Sequence, residues 1–437
     1  MPADALIRGW NAKLAAGRGL KPLRVATLCA FNANIDAVKK VSPLEWKRFL
    51  SALSKSEAET VERLSSGDYF PLGKVSTKAQ ATACIAWSIR RGEAAHVAAP
   101  PKIIFWLDRA FPNGVKRLGG QAGLMAENLC RLGCKSAVYP LLLSKKQAAL
   151  FSRGVLYPDA SCGRVRLVPV RGSRNSSETK ENVVVEFGSD LSARPNRAIF
   201  SSGFKRRLCF PTPWAEQKLN ELGGLLDACL FSGFHYLKRA AELPPLFAQL
   251  DALKQGRQKF SFHCEYVPFE DKRMEAAVLR GLCKRVKSLG LNEVELRELH
   301  RALFGSGFDH ESVRQQAAAA ERVYAELGLQ RLHVHNKGYH LVVLGGKRDP
   351  RRCVLACLLA SDEATFKASG SRKRAKISAY SLGKMREYSA DASFLRNGFV
   401  ERRGHFVVIA PASFVEKPVY TVGLGDIVSS TAFAAEL

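Results

Sequence analysis

Short apolar runs rich in Val, Ile and Leu alternate along this chain with helix-like stretches, and each run gives way to a polar turn. Val25 to Cys29 reads as a buried strand that ends in Phe31-Asn32-Ala33-Asn34-Ile35-Asp36. Leu225 to Phe231 ends in Ser232-Gly233-Phe234-His235, and Lys259 to His263 ends in Cys264-Glu265-Tyr266. Val286 to Leu289 leads into Gly290-Leu291-Asn292-Glu293, and Leu332 to His335 into Asn336-Lys337-Gly338. Phe406 to Ala410 is a further candidate strand, and Cys353 to Ala360 is an apolar run of strand size. Strands alternating with helices predict βαβ units and a parallel sheet. Polar groups at the carboxyl ends of such strands mark where an open α/β sheet binds its ligand.

Two stretches break the rhythm. Residues around 40–115 and 156–215 carry more turn residues and alternating patterns, as in Glu181-Asn182-Val183-Val184-Val185-Glu186-Phe187. They read as a smaller, strand-rich lobe inserted into the main domain. The predicted division is a large α/β domain over 1–35, 116–155 and 216–437, and a lid over 36–115 and 156–215. No internal repeat or long low-complexity tract interrupts this plan.

Composition narrows the classes. With 437 residues and 46% hydrophobic positions, the chain can bury a large core without disulfides. No apolar run approaches the ~20 residues of a membrane span, and Met1 to Lys21 has scattered charges without the apolar stretch of a signal peptide. The 11 cysteines form no C-x-x-C pair, so they read as small buried side chains in a reducing cytoplasm. Cys130/Cys134 and Cys353/Cys357 have a helical spacing of four, yet no neighbouring His cluster in the sequence completes a ligand set. The net charge of +27 suggests anionic partners. Its densest cluster, Arg372, Lys373, Arg374 and Lys376 after Ser369-Gly370-Ser371, lacks the interleaved aromatics or fold motif of a nucleic-acid module. It reads as a solvated loop.

Three motifs carry candidate chemistry. Near the C-terminus stands Thr421-Val422-Gly423-Leu424-Gly425-Asp426, followed by small and apolar residues that can start a helix. Two glycines allow a tight turn with exposed N–H groups, and the helix start faces the same point, which makes an anion hole. An Asp in that turn can accept a proton from an attacking hydroxyl, as phosphoryl transfer requires; the plainer alternative is a helix cap. Leu118-Gly119-Gly120-Gln121-Ala122-Gly123 is a second glycine turn into a helix, suited either to a ligand or to close helix packing. Asn292-Glu293-Val294-Glu295 sets Asn292 and Glu295 on one helical face. A carboxylate there can hold the water ligands of Mg²⁺ or simply complement the helix dipole. Walker A, HExxH and GxSxG patterns are absent.

As an ordered set, Asn32 to Asp36, Gly119 to Gly123, Asn292 to Glu295, His333 to His340 and Gly423 to Asp426 resemble the ADP-dependent glucokinase/phosphofructokinase family of the ribokinase-like superfamily, from about Val25 to the end. The resemblance implies an α/β/α sandwich with a smaller β-rich lid, and Mg²⁺-dependent transfer of the β-phosphoryl of ADP to a sugar or sugar phosphate. It assigns Asp426 as the base and the backbone of Gly423, Leu424 and Gly425 as the anion hole. Glu265, Asn292 and Glu295 match metal positions. Asn34, Asp36, Gly119, Gly120 and Gln121 match sugar-contacting positions, and His335, Tyr339, Val419 and Val422 the nucleotide side. It implies no membrane or nucleic-acid partner.

Two departures bear on the substrate. Family glucokinases tend to carry a Glu after a Gly-x-Ala-Ala run, where this chain has His96, and a His where it has Asn182. Losing the carboxylate removes an acceptor for glucose hydroxyls and a charge that repels a 6-phosphate. Lys180 and Arg197 can supply cations for that phosphate, while Glu93, displaced by three, is an alternative carboxylate. The balance favours fructose 6-phosphate over glucose. Ile427 stands where the family often has Thr, which removes a hydroxyl near the phosphate. A degenerate, nucleotide- or RNA-binding member is the remoter alternative.

Overall fold

The computed structural model describes residues 2–203, 206–211, 214–370, 375–413, 415–416, 418–420 and 422–437. Thr421 and Ser371 to Arg374 of the basic cluster lie outside them. Eleven strands form the large sheet, in the order Phe399–Arg402, His405–Pro411, Tyr339–Gly345, Arg331–Asn336, Ser288–Asn292, Ser261–Glu265, Ala228–Ser232, Ala26–Phe31, Lys135–Pro140, Leu156–Asp159, Arg166–Pro169. The strands from Arg331–Asn336 across to Leu156–Asp159 run parallel. Both margins are antiparallel. Ala26–Phe31 is buried along almost its whole length, with no polar face; a parallel strand covered by helices on both sides needs that pattern. Helices Ala3–Arg18, Gln121–Arg131, Pro350–Ser369 and Leu424–Glu436 pack together over one face, and Leu243–Gln255, Lys272–Leu282, Glu293–Phe304 and Val313–Glu326 over the other.

Five strands form the smaller sheet, ordered Ala95–Ala99, Asn196–Ser202, Glu181–Phe187, Asn34–Val41, Gly114–Gly119. Here the period of two decides the architecture. Ala37, Val97, Val183, Val185, Ala198 and Phe200 point into a core shared with helices on one side. Their neighbours Asp36, His96, Asn182, Arg197 and Ser201 therefore line the opposite, uncovered face. The chain crosses between the sheets at Asn32-Ala33, where one strand ends and the next begins, and at Gly120.

Several sequence expectations change. Residues 156–169, assigned to the lid, add two strands to the large sheet. Residues 43–110 are mainly helical, as Pro43–Ser51, Lys55–Ser65, Lys78–Arg91 and Pro101–Ala110. The first three are opened by reciprocal caps at Ser42/Glu45, Ser54/Glu57 and Thr77/Gln80. The strand-sized run Cys353 to Ala360 lies inside the 20-residue helix Pro350–Ser369, where it is apolar because the helix is buried against its neighbours. Lys337-Gly338 is a hairpin turn rather than a loop into a helix: Gly338 adopts φ +90° and the chain returns antiparallel.

Candidate active site

The terminal helix Leu424–Glu436 starts at Gly423, whose φ of +75° only glycine adopts readily. Its first-turn N–H groups have no partner within the helix, and Leu424 and Gly425 line a cavity. Gly425 is required by close approach as well, since a Cβ there would stand 2.9 Å from the His335 ring. Asp426 follows in the first turn, where it does not serve as the cap. Its carboxyl is pushed up to about 8, by burial first and then by the charge of Glu265, with Glu295 and Asp36 adding to it and His335 opposing. Ile427 is buried, its N–H closing the first turn on the Gly423 carbonyl at 3.2 Å.

Glu265 ends the strand Ser261–Glu265 and is buried between two imidazoles. His335 Nε2 lies 3.0 Å from Oε1, and His263 Nε2 3.4 Å from Oε2. Burial works against its charge, but these bonds overcome it and hold the carboxyl at about 2. His335 is raised in turn: burial opposes its charge, but the bond to Glu265 and the charges of Glu265, Glu295 and Glu293 together outweigh that cost. Gly290 makes room for the group, because a Cβ there would sit 2.4 Å from Glu265 Oε2 and 2.2 Å from Ser429 Oγ. Asn292 and Glu295 form a reciprocal cap on the helix Glu293–Phe304. Asn292 Oδ1 accepts from the N–H of Val294 and of Glu295 at 2.9 Å, and Glu295 Oε2 accepts from the Asn292 N–H at 2.8 Å. Burial pushes Glu295 up to about 7, with Glu265 adding repulsion. Cap and charged cluster are thus the same residues.

On the lid side, Asp36 is buried and accepts at Oδ1 from Asn34 (2.5 Å) and Asn182 (3.0 Å). Burial raises its carboxyl, while Asn182, Asn34, Lys180 and Arg197 favour the charged form. Gly119 is the space this carboxylate needs: a Cβ would lie 2.2 Å from Asp36 Oδ2. Gly120, at φ +77°, opens the helix Gln121–Arg131. Gln121 Oε1 and Asn182 Oδ1 are buried with no hydrogen-bond partner among the described residues, as donors from a bound polyol would leave them in its absence. Lys180 is buried, bonds Tyr236 Oη and reaches Asn32 Oδ1 at 3.4 Å. His96 meets Ser201 Oγ at 2.7 Å; its protonation is disfavoured by burial, then by Lys180 and Arg197. Glu93 does not join them: it is exposed at the end of its helix, before the strand Ala95–Ala99 begins.

Sequence reading had missed Asn32, His235 and Tyr236 here. His235 is pushed down to about 3 by burial and by the charges of Lys180 and His96, and its Nδ1 has no hydrogen-bond partner among the described residues. The signal was its place just past the strand Ala228–Ser232.

A cavity of about 420 Å³ opens beside Leu424 and Gly425, lined also by His335, Asn336, Gly338, Ser361 and Thr365. The expected nucleotide residues divide. His335 faces the cavity. Tyr339 pairs with Asn336 across the hairpin, one register step from the His335–His340 pair, so its ring lies on the opposite face near Gln316 and Glu387. Val419 is exposed and lines a neighbouring cavity against Lys40, Phe187 and Asn196 of the lid. Val422 sits in the turn before Gly423.

Residues 25–435 match the family model described as the ADP-specific phosphofructokinase/glucokinase conserved region. The chain belongs to the ADP-specific phosphofructokinase/glucokinase family. Among its relatives, the ADP-specific phosphofructokinase of Pyrococcus abyssi is 25% identical, covering 94% of this chain and 97% of that one. The ADP-dependent glucose/glucosamine kinase of the same organism is 27% identical, with 94% of each covered. The fold of a solved ADP-dependent kinase in complex with fructose-6-phosphate and ADPβS superposes with a TM-score of 0.79 at 23% identity, over all of this chain and 98% of the other. A reconstructed last common ancestor of ADP-dependent phosphofructokinases from Methanosarcinales also gives 0.79, at 24% identity. This family fold is the α/β sandwich with a lid that the residues lead one to expect.

Proposed function

We propose that this kinase transfers the β-phosphoryl of ADP to the 1-hydroxyl of fructose 6-phosphate, giving fructose 1,6-bisphosphate and AMP. The observation that carries the choice of sugar is the uncovered lid face. Lys180, Arg197 and His96 gather there beside Asp36, with a histidine where family glucokinases tend to carry a glutamate. Two cations suit a 6-phosphate. The second reading, glucose, is favoured by the glucose/glucosamine kinase relative.

Asp36, Asn34 and Gln121 supply hydrogen-bonding groups that orient the sugar. Asp426 in its ionised form takes the proton of the attacking hydroxyl. The N–H groups of the helix start stabilise charge on the transferring phosphoryl, at little reorganisation cost. A metal fits the donor set: Glu265, Glu295 and Asp426 are hard oxygen donors whose mutual repulsion already raises two of them. Mg²⁺ bound near these groups through waters supplies charge neutralisation for the diphosphate. His335, whose protonated form Glu265 favours, stands beside Gly425 at the edge of the cavity.

Purified protein with Mg-ADP and either sugar, assayed for AMP, tests this. Turnover with fructose 6-phosphate well above that with glucose is expected. AMP formed with glucose alone overturns the sugar assignment, and no AMP with either sugar overturns the kinase.

A further inference from the structure

Next to the Glu265–His335 pair lies a second histidine cluster that the transfer reaction leaves unused. Hairpin register puts His333, His335 and His340 on one face of the sheet, under the helices Pro350–Ser369 and Leu424–Glu436. His333 Nε2 stands 3.1 Å from His340 Nδ1. Cys357 of the long helix closes the group: one donor atom from each of the three residues lies within 4.8 Å of the others. His333 and Cys357 are 0% exposed and His340 2%. Cys353, one helical turn before Cys357, is equally buried and hydrogen-bonded to it. The C-x-x-x-C spacing that lacked a His partner in the sequence has two in the fold.

His333 Nε2 and His340 Nδ1 face each other at a separation close to that of neighbouring ligands on one ion. With Nδ1 turned to the cluster, the His340 proton sits on Nε2, which is buried with no hydrogen-bond partner among the described residues.

We propose that His333, His340 and Cys357 form a binding site for Zn²⁺, with solvent as the fourth ligand. Two imidazoles and one thiolate are the donor set of a borderline-soft, tetrahedral ion, not of Mg²⁺. Tetrahedral zinc sets its donors about 3.3–3.8 Å apart, so the two imidazoles stay nearly in place and Cys357 closes in on them. The ligating thiol gives up its proton to solvent as the metal–sulfur bond forms. Ligation through His333 Nε2 leaves that ring's proton on Nδ1 and ends its 3.5 Å contact with Arg331; the guanidinium keeps its bonds to Glu436 at 2.8–3.0 Å. His340 also lines the 420 Å³ cavity, which gives the ion a route from solvent.

The test uses full-length protein prepared under reducing conditions with Zn²⁺, passed over a desalting column in EDTA, and analysed for metal. One zinc per chain is expected to survive. Replacement by Co²⁺ is expected to give the intense visible bands of a tetrahedral site together with a thiolate-to-cobalt charge-transfer band in the near ultraviolet. That band separates this site from the carboxylates around Glu265, which hold no sulfur. Cys357→Ser is expected to abolish it, and His340→Gln to weaken zinc binding by at least the roughly 10–100-fold that loss of an outer-shell partner costs. Absence of retained zinc and of the charge-transfer band in the wild-type protein overturns the proposal, whatever the variants do. So does a band unchanged in a folded Cys357→Ser protein.

Discussion

The two ends of the cleft are built from different materials. In the proposed site the phosphoryl end rests on backbone N–H groups of one helix start, and glycines at 423 and 425 let that backbone turn and approach His335. At the sugar end the working groups are side chains on the open face of a five-stranded sheet, met by Asn32, His235 and Tyr236 from the large domain. The first end lies within the large domain, and its anion-binding part is backbone, with Asp426 as the side chain that stands beside it. The second includes two of the four chain crossings, Asn32-Ala33 and Gly120, so a sugar bound there would bridge the lobes. Chemistry is fixed at one end, and specificity is adjustable at the other.

Removing the base should separate the two ends most sharply. Asp426→Asn is expected to lower kcat by about 10²–10⁴, while the Kd for ADP measured by calorimetry stays within a fewfold. A kcat near wild type would remove Asp426 from the reaction.

At the sugar end the largest effect comes from filling a space rather than deleting a group. In Gly119→Ala the new methyl is placed 2.2 Å from Asp36 Oδ2 and 2.6 Å from Asn34 Nδ2. Displacing both groups costs two sugar contacts at about 1–1.5 kcal/mol each, so KM for the sugar should rise about 30–150-fold. ADP affinity should be unmoved. A parallel loss of ADP affinity would show that the two ends are not independent.

Lys180→Met asks a finer question, whether the lid reads a phosphate. Losing a charged hydrogen bond costs about 1.5–3 kcal/mol, so KM for fructose 6-phosphate should rise about 10–150-fold. Turnover of glucose, however slow, should not fall. Equal loss on both sugars would assign Lys180 to holding Tyr236 and Asn32 in place.

The same contrast explains what could be read in advance. The Gly423-to-Asp426 turn was legible because its requirement is local: two glycines, an acid and a helix start adjacent in the chain. Asn292 and Glu295 were legible for the same reason, and the cap geometry shows why the pattern is ambiguous alone, since a capping box has the same spelling. His235 and Tyr236 were not legible, because sheet order, not sequence distance, brings them to Lys180. Nor were His333 and His340: whether they share a face depends on the Lys337-Gly338 turn, and a one-residue slip would part them, as it parts Tyr339 from His335. In the lid, alternation caught Glu181 to Phe187, but the helices over 43–110 were overlooked although three capping boxes spell their starts.

The smallest effect concerns protons at the phosphoryl end. Without a cation, Asp426 is pushed up to about 8 by burial and by Glu265 and Glu295. Below that pH it holds a proton, and a protonated carboxyl cannot serve as base, so kcat/KM should fall on the acidic side. A divalent cation near the three carboxylates favours the ionised form and moves this limb toward lower pH. Raising free Mg²⁺ at fixed ADP should therefore shift the acidic midpoint downward, while the midpoint should not respond to sugar concentration, because the charges that set it belong mainly to the large domain. Asp36 is the one lid carboxylate among them. Asp36→Asn should lower the midpoint slightly, whereas Glu295→Gln should lower it more. The reverse order would place Asp426 under the control of the lid, and the division between the two ends would then fall on the wrong side of the base.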